Sequence, residues 1–349
     1  MVDAFLSMVD AIYPRLTLAT SPRNIGRATL RRDAPEPVAP ACGVVQRDAA
    51  ARARRLISKR KRHVSHLAPS EFVKKMVDAG ESKVLMSTRD TLIRGFMGGA
   101  LLALGAVFAV TVSQQTGHPI IGAILFPVGF CTLYLHGYDL LTGVFVLSTL
   151  AWVDRRPGVT WRGVLRNWGL VFSGNFLGAL TVAVMMGIVF TNGFSTEPSA
   201  VGKVIAGIGE ARTLGYKAHG AAGMLTLFTR GVLCNWMVSS GVVGAMVATT
   251  VGGKVLAMWM PITLFFAMTF EHSVVNMFLF PSGLLMGGNF SIADYLVWNE
   301  LPTVVGNMIG GITFTGLALY STHLRTAPKR KVIAHNATDQ SYDSRDIAA

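Results

Sequence analysis

The chain has 349 residues, 51% of them hydrophobic and only 15% charged, with a net charge of +13. A soluble globular domain carries about 25% charged residues, so a chain this apolar cannot clothe its own surface and must have lipid as its solvent. The basic excess is gathered in the N-terminal third, the connecting loops and the C-terminal tail, which is the pattern of membrane-span flanks and argues against a nucleic-acid-binding surface.

In chain order, residues 1–68 are rich in Arg, Ala and Pro and show no sustained period. The stretch 51–61 holds Arg52, Arg54, Arg55, Lys59, Arg60 and Lys61. This composition predicts a disordered tail lying against an anionic membrane surface. From Pro69, with Ser70 as the expected N-cap, Phe72, Val73, Met76 and Val77 form one apolar stripe that Gly80 should end. The pattern predicts an interfacial amphipathic helix over 69–80. A transport domain over 90–323 follows, and 324–349 is a polar tail.

That domain contains six apolar spans, at 92–112, 121–151, 168–190, 224–250, 255–286 and 301–322. Each reaches the ~20 residues that cross a bilayer core, or exceeds it and is interrupted. The second is broken at His136-Gly137-Tyr138-Asp139 and the fifth at Phe270-Glu271-His272-Ser273. An even number of spans places both termini on one side. Arg155, Arg156, Arg162, Arg166 and Lys254 share that side with the C-terminal Arg325, Lys329, Arg330 and Lys331, whereas 113–119 and 287–300 carry no Lys or Arg. The positive-inside rule puts both termini in the cytoplasm, most simply beneath a plasma membrane. The loop 191–223 departs from the rule, with Lys203, Arg212 and Lys217 on the outer side.

Spans three and six share a motif, Gly174-Asn175-Phe176-Leu177-Gly178 and Gly306-Asn307-Met308-Ile309-Gly310. The middle span of each half is the broken one. Three spans per half force the second copy to enter from the opposite side. The expected fold is an all-α membrane protein with an inverted 3+3 repeat, and paired broken segments point to a transport site near the bilayer midplane.

His272 lies inside the second break, and an ionisable residue at membrane depth normally faces a cavity or a partner. It reads either as a structural histidine bonded to freed backbone or as a proton-exchanging, anion-contacting group. Thr142, just past the first break, either meets His272 or bonds back to its own helix. Asn235 either lines a pore or ties down a broken helix. Asp139 and Glu271 are expected to support the loops by fixing backbone N–H groups. Phe126, Phe130, Leu140, Leu141 and Phe265 flank the breaks, as constrictions or as packed core. Cys42, Cys131 and Cys234 show no disulfide framework or metal spacing. No phosphate loop, metal cluster or nucleophile–base arrangement is evident, so neither enzyme activity nor a cofactor is expected.

Four stretches carry a resemblance: Gly137-Tyr138-Asp139-Leu140-Leu141-Thr142, Cys234-Asn235-Trp236-Met237-Val238, Phe270-Glu271-His272-Ser273-Val274-Val275-Asn276-Met277 and Gly306-Asn307-Met308-Ile309-Gly310-Gly311. Together the chain resembles the formate–nitrite transporter family over about 68–322. The resemblance implies an aquaporin-like protomer, a homopentamer and one pore per protomer for formate, nitrite, hydrosulfide or lactate, in many members with a proton. It implies that His272 is the central histidine, Thr142 the break threonine and Asn235 the pore asparagine. Phe126, Phe265, Leu140 and Leu141 take the constrictions. The vestibule lysine that attracts anions has Lys217 as its nearest match, with Lys203 and His219 as alternatives. Two features depart from bacterial members: Leu140-Leu141 stands where many have Leu-Phe, and the Arg-rich extension looks more like a protozoan lactate–proton branch.

Overall fold

A computed structural model describes residues 66–326, so most of the expected 1–68 tail and all but the start of the 324–349 tail lie outside the described residues. Among the described residues the regular structure is helical, with one isolated bridge between His66 and Ala248. The helices are α1 Pro69–Val84, α2 Thr88–Thr116, α3 Pro119–Leu135, α4 Leu141–Val153 and α5 Trp161–Phe190. They continue as α6 Ala200–Ala211, α7 Leu214–Ala218, α8 Gly220–Val247, α9 Val251–Ala267, α10 Ser273–Leu285 and α11 Ile292–Arg325. Three of them, α2, α5 and α11, are long and apolar enough to cross a membrane, and α3, α4, α9 and α10 are shorter apolar helices. The non-helical segments 136–140 and 268–272 separate α3 from α4 and α9 from α10.

Local chemistry sets the helix ends. Ser87, Thr160 and Thr250 each accept a backbone N–H from the first turn of α2, α5 and α9, satisfying donors that a helix start leaves open. Pro127 interrupts α3 just after Phe126, because proline offers no N–H to the turn before it. Helix α11 widens into π turns at Leu296–Glu300, Ile312–Leu317 and Ser321–Arg325.

Helix α1 differs from the sequence reading at both ends. Its cap position is Ala68, Pro69 opens the helix, and the Glu71 carboxylate accepts the Ala68 N–H at 2.9 Å. Ser70 is therefore inside the first turn. Gly80 does not stop the helix, which runs to Val84; a Cβ there would collide with the Leu147 carbonyl of α4. The glycine is used for close approach. Phe72, Val73, Met76 and Val77 are buried against the bundle.

Close packing recurs at two helix pairs. A Cβ on Gly178 of α5 would meet Phe96 O of α2, and one on Gly310 of α11 would meet Val232 O of α8. Gly174 approaches Gly95 and Gly306 approaches Gly231 in the same way. Small residues at such crossings let backbones touch, which is how helices pack where lipid offers no hydrophobic drive.

Candidate functional site

Two buried asparagines hold the helix breaks. Asn175 Oδ1 accepts Leu141 N–H at 2.8 Å, while its Nδ2 donates to Asp139 O at 2.8 Å and Gly95 O at 2.7 Å. Asn307 Oδ1 accepts Ser273 N–H at 3.0 Å, while its Nδ2 donates to Glu271 O at 2.9 Å and Gly231 O at 2.8 Å. The bonding matches atom for atom. Without these amides the first N–H of α4 and of α10, and the carbonyls before them, would be orphaned at depth. In this register Leu140 corresponds to His272 and Asp139 to Glu271.

His272 caps α10, with Nδ1 accepting Val275 N–H at 3.3 Å. A ring nitrogen that accepts carries no proton, so the neutral imidazole bears its hydrogen on Nε2. That nitrogen faces Thr142 Oγ1, in the first turn of α4, at 3.4 Å. The residues are 1% and 0% exposed. Both helices direct their N-terminal ends, and hence partial positive charge, toward this meeting point.

Asn235 stands beside the pair but faces away from open space. It is fully buried and its Nδ2 donates to Thr142 O at 3.1 Å and Asn307 O at 2.7 Å. Of its two readings, the tie to the broken helices is the one the geometry carries, because both amide hydrogens are consumed by backbone.

A cavity lies on either side. The larger, about 1130 Å³, is lined by Arg212, Tyr216, His219, Arg230, Phe266 and Leu279 among others. The smaller, about 250 Å³, is lined by Lys83, Phe130, Tyr134, Leu140, Thr142 and Met246 among others. The first opens near the C-terminal end of α2, beside Ser113, and the second near Lys83, just ahead of its start. Between them, Phe265 stacks on the His272 ring at 5.5 Å and meets Phe126 edge-on at 5.6 Å. Phe126 and Phe265 are buried between the cavities, Phe130 and Leu140 line the smaller one, and Leu141 lines neither.

The carboxylates bind side chains, not the loop N–H groups expected of them. Asp139 pairs with Lys83 of α1. Glu271 accepts from Tyr216 Oη at 2.8 Å and from Asn276 Nδ2 at 2.9 Å, with Arg212 at 3.6 Å. The predicted vestibule lysines lie elsewhere. Lys217 is exposed and engaged by Asp294 at 2.8 Å, and exposed Lys203 lines neither cavity. His219, Arg212 and Arg230 take the wall instead. Arg230 donates to Tyr216 Oη at 2.8 Å and lies 5.8 Å from its ring centre. Burial, reinforced by the Glu271 charge, pushes the Tyr216 phenol up to about 12, so it remains a donor at neutral pH. Sequence reasoning passed over Lys83 and Arg230; the signal for Arg230 was a lone guanidinium inside an apolar span.

Residues 70–321 match the formate/nitrite transporter family. A probable formate transporter of Methanothermobacter thermautotrophicus is 30% identical over 277 residues, covering 75% of this chain and 98% of the relative. Among solved structures, an ion channel of the FNT family overlays with a TM-score of 0.63 at 23% identity, over 72% of this chain and 98% of that one. A pentameric formate channel with formate bound overlays with a TM-score of 0.57 at 20% identity, over 68% and 98% of the two chains. At these identities the structural likeness carries the all-helical fold.

Proposed function

The chain belongs to the formate/nitrite transporter family, and from that premise we propose that it carries small monocarboxylates such as formate and lactate, and related anions such as nitrite, across a membrane together with protons, through a pore in each protomer. One observation carries the reading: two helix breaks meet where Thr142 Oγ1 faces His272 Nε2 at 3.4 Å, with a cavity on each side. The matched bonding of Asn175 and Asn307 supports six crossings in two inverted triplets, α2 to α5 and α8 to α11. Both termini lie in the cytoplasm, beneath a plasma membrane, and α1 lies along its inner face. The pentameric solved relative supports a homopentamer.

The energetic logic starts from the cost of charge. An isolated carboxylate in hydrocarbon costs tens of kcal/mol by Born estimates, and the neutral acid far less. The anion enters the outer cavity toward Arg212, His219 and Arg230, or the inner one toward Lys83. A weak acid with a pKa of ~4 in water takes up a proton more readily as it desolvates. It then passes Phe126 and Phe265 as the neutral acid, guided by the Nε2–H of His272 and the Thr142 hydroxyl. Direction follows the gradients of acid and proton.

The test is a substrate panel in proteoliposomes with inside and outside pH controlled. Formate and lactate should accumulate down an imposed proton gradient, with matching proton movement. Current without proton movement would instead identify a passive formate or nitrite channel. His272→Ala should lower proton-coupled formate uptake by about a hundredfold or more, the scale of losing one pre-organised donor at a barrier where charge is being moved; wild-type rates in that variant would remove His272 from the mechanism.

A further inference from the structure

Helices α10 and α11 meet along a seam that holds more buried oxygen than the site above uses. Ser273, Asn276 and Phe280 share one face of α10, and Asn299, Thr303 and Asn307 share one face of α11. Two bonds stitch these faces: Asn276 Nδ2 donates to Asn299 Oδ1 at 2.7 Å, and Ser273 N–H to Asn307 Oδ1 at 3.0 Å. Thr303 falls between the two stitches. Glu300, beside Asn299, accepts Tyr295 Oη at 2.9 Å through Oε2, and the Tyr295 ring stacks on Phe280 at 4.7 Å. Four oxygens of this seam, Ser273 Oγ, Asn276 Oδ1, Glu300 Oε1 and Thr303 Oγ1, have no hydrogen-bond partner among the described residues. Their residues are at most 2% exposed. Orphaned polar atoms along one buried seam are a mark of internal water.

No ion pair to Glu300 occurs among the described residues. Tyr295 on its own helix donates to it, and Glu271 ahead of α10 acts on it electrostatically; Glu271 in turn gathers Arg212 after α6, Tyr216 on α7 and Arg230 on α8. The groups around Glu271 form one chain: Arg212 lies 3.6 Å from Glu271, Tyr216 donates to Glu271 at 2.8 Å, and Arg230 donates to Tyr216 at 2.8 Å. Glu300, Glu271, Arg212 and Arg230 together count two carboxyls and two guanidinium groups. With Glu300 ionised the set has no net charge. With a proton on Glu300 it carries one positive charge, equal and opposite to one monovalent anion in the cavity that Arg212, Tyr216 and Arg230 line.

We propose that Glu300 is the seat of the coupled proton, bound through water held in the α10–α11 seam. The proposal rests on the proton-coupled reading above and adds the group that holds the proton. In loading, an O–H bond of a hydronium ion breaks, its electron pair stays on the water oxygen, and an O–H bond forms on Glu300 Oε1. In release the carboxylate keeps the electron pair and the proton passes through seam water to the carboxylate of the permeating anion, which becomes the neutral acid. Loading a proton favours an anion nearby, and an anion favours loading, as reciprocal linkage requires.

Glu300→Gln keeps a neutral, hydrogen-bonding side chain that cannot release a proton. In proteoliposomes, formate accumulation driven by a pH gradient should fall by about tenfold or more in this variant, within the range of a coupling free energy between two sites. Formate flux at equal pH should fall with it, because without that proton the anion cannot pass Phe126 and Phe265 as the neutral acid. Wild-type accumulation in an assembled Glu300→Gln protein overturns the proposal. If the variant does not assemble, Tyr295→Phe serves: it removes the donor to Oε2 and should displace the pH midpoint of formate uptake, and an unchanged midpoint overturns the proposal. The wild-type arm separates the two readings: if wild-type protein moves formate with no proton, it is the coupling itself that fails.

Discussion

Among single residues, Asn175 and Asn307 do the structural labour, and the proposed function gives Thr142 and His272 the transport. Each asparagine makes three bonds to backbone groups that have no water to turn to. Asn175→Ala or Asn307→Ala should therefore destabilise the protein by about 1–3 kcal/mol for each group left orphaned, read as a lowered melting temperature in detergent. Thr142→Val, which loses only the long contact to His272 at 3.4 Å, should melt close to wild type yet slow formate uptake. Equal melting loss in all three variants would show that the threonine is structural too. The paired Gly-Asn motifs made the two asparagines visible in sequence, but not their partners. The facing of His272 and Thr142 rests on a contact 130 positions apart, and the spacing along one chain left it open. Asn235 was ambiguous for the same reason: a buried amide reads alike whether it faces a pore or two carbonyls.

At the scale of elements, the bundle is built from two intimate helix pairs, α2 with α5 and α8 with α11. Their glycines stand where a side chain would strike the facing backbone: Gly178 at Phe96 O and Gly310 at Val232 O. Backbone cannot move aside as a flexible side chain can, so overpacking here exceeds the usual cost of about 1–3 kcal/mol. Gly178→Ile and Gly310→Ile should each abolish the folded oligomer, seen as loss of the assembled peak in size-exclusion chromatography. Gly143→Ala, with nothing within 4 Å of its added Cβ, is the matched control and should assemble normally. A variant at Gly178 that assembles while one at Gly310 does not would break the proposed equivalence of the two halves. The apolar stretches and their breaks were legible because hydropathy and a polar run inside it need no tertiary information. The end of α1 was not. Gly80 looks like a stop in sequence, and only the Leu147 carbonyl beside it shows a packing glycine. Lys217 likewise looked like a free outer cation until Asp294, 77 positions on, appeared at 2.8 Å.

For the whole molecule, the decisive property is sidedness, because the proposal sets two differently charged mouths on opposite faces of a membrane. The inner mouth has Lys83 paired with Asp139, with Arg156 joining Asp78 and Glu81 of α1 to Asp154 nearby. The outer mouth has His219, Arg212 and Arg230 around the larger cavity. Basic loops resist translocation, so the proposed orientation puts Arg155, Arg156, Arg162 and Arg166 on the cytoplasmic side and requires the loop 191–223 to cross in spite of Lys203, Arg212 and Lys217. Pairing offsets two of these charges. Arg212 lies 3.6 Å from buried Glu271 and Lys217 lies 2.8 Å from Asp294, so two of the three cations arrive compensated. Single cysteines at exposed Lys203 and exposed Arg162, in a background with Cys42, Cys131 and Cys234 replaced, should then label oppositely in intact cells. A membrane-impermeant maleimide should reach Lys203→Cys from outside and Arg162→Cys only after the membrane is opened. Both sites labelling from the same side would exclude the odd number of crossings between them, and with it the inverted pairing of α2–α5 with α8–α11 on which two opposed vestibules depend.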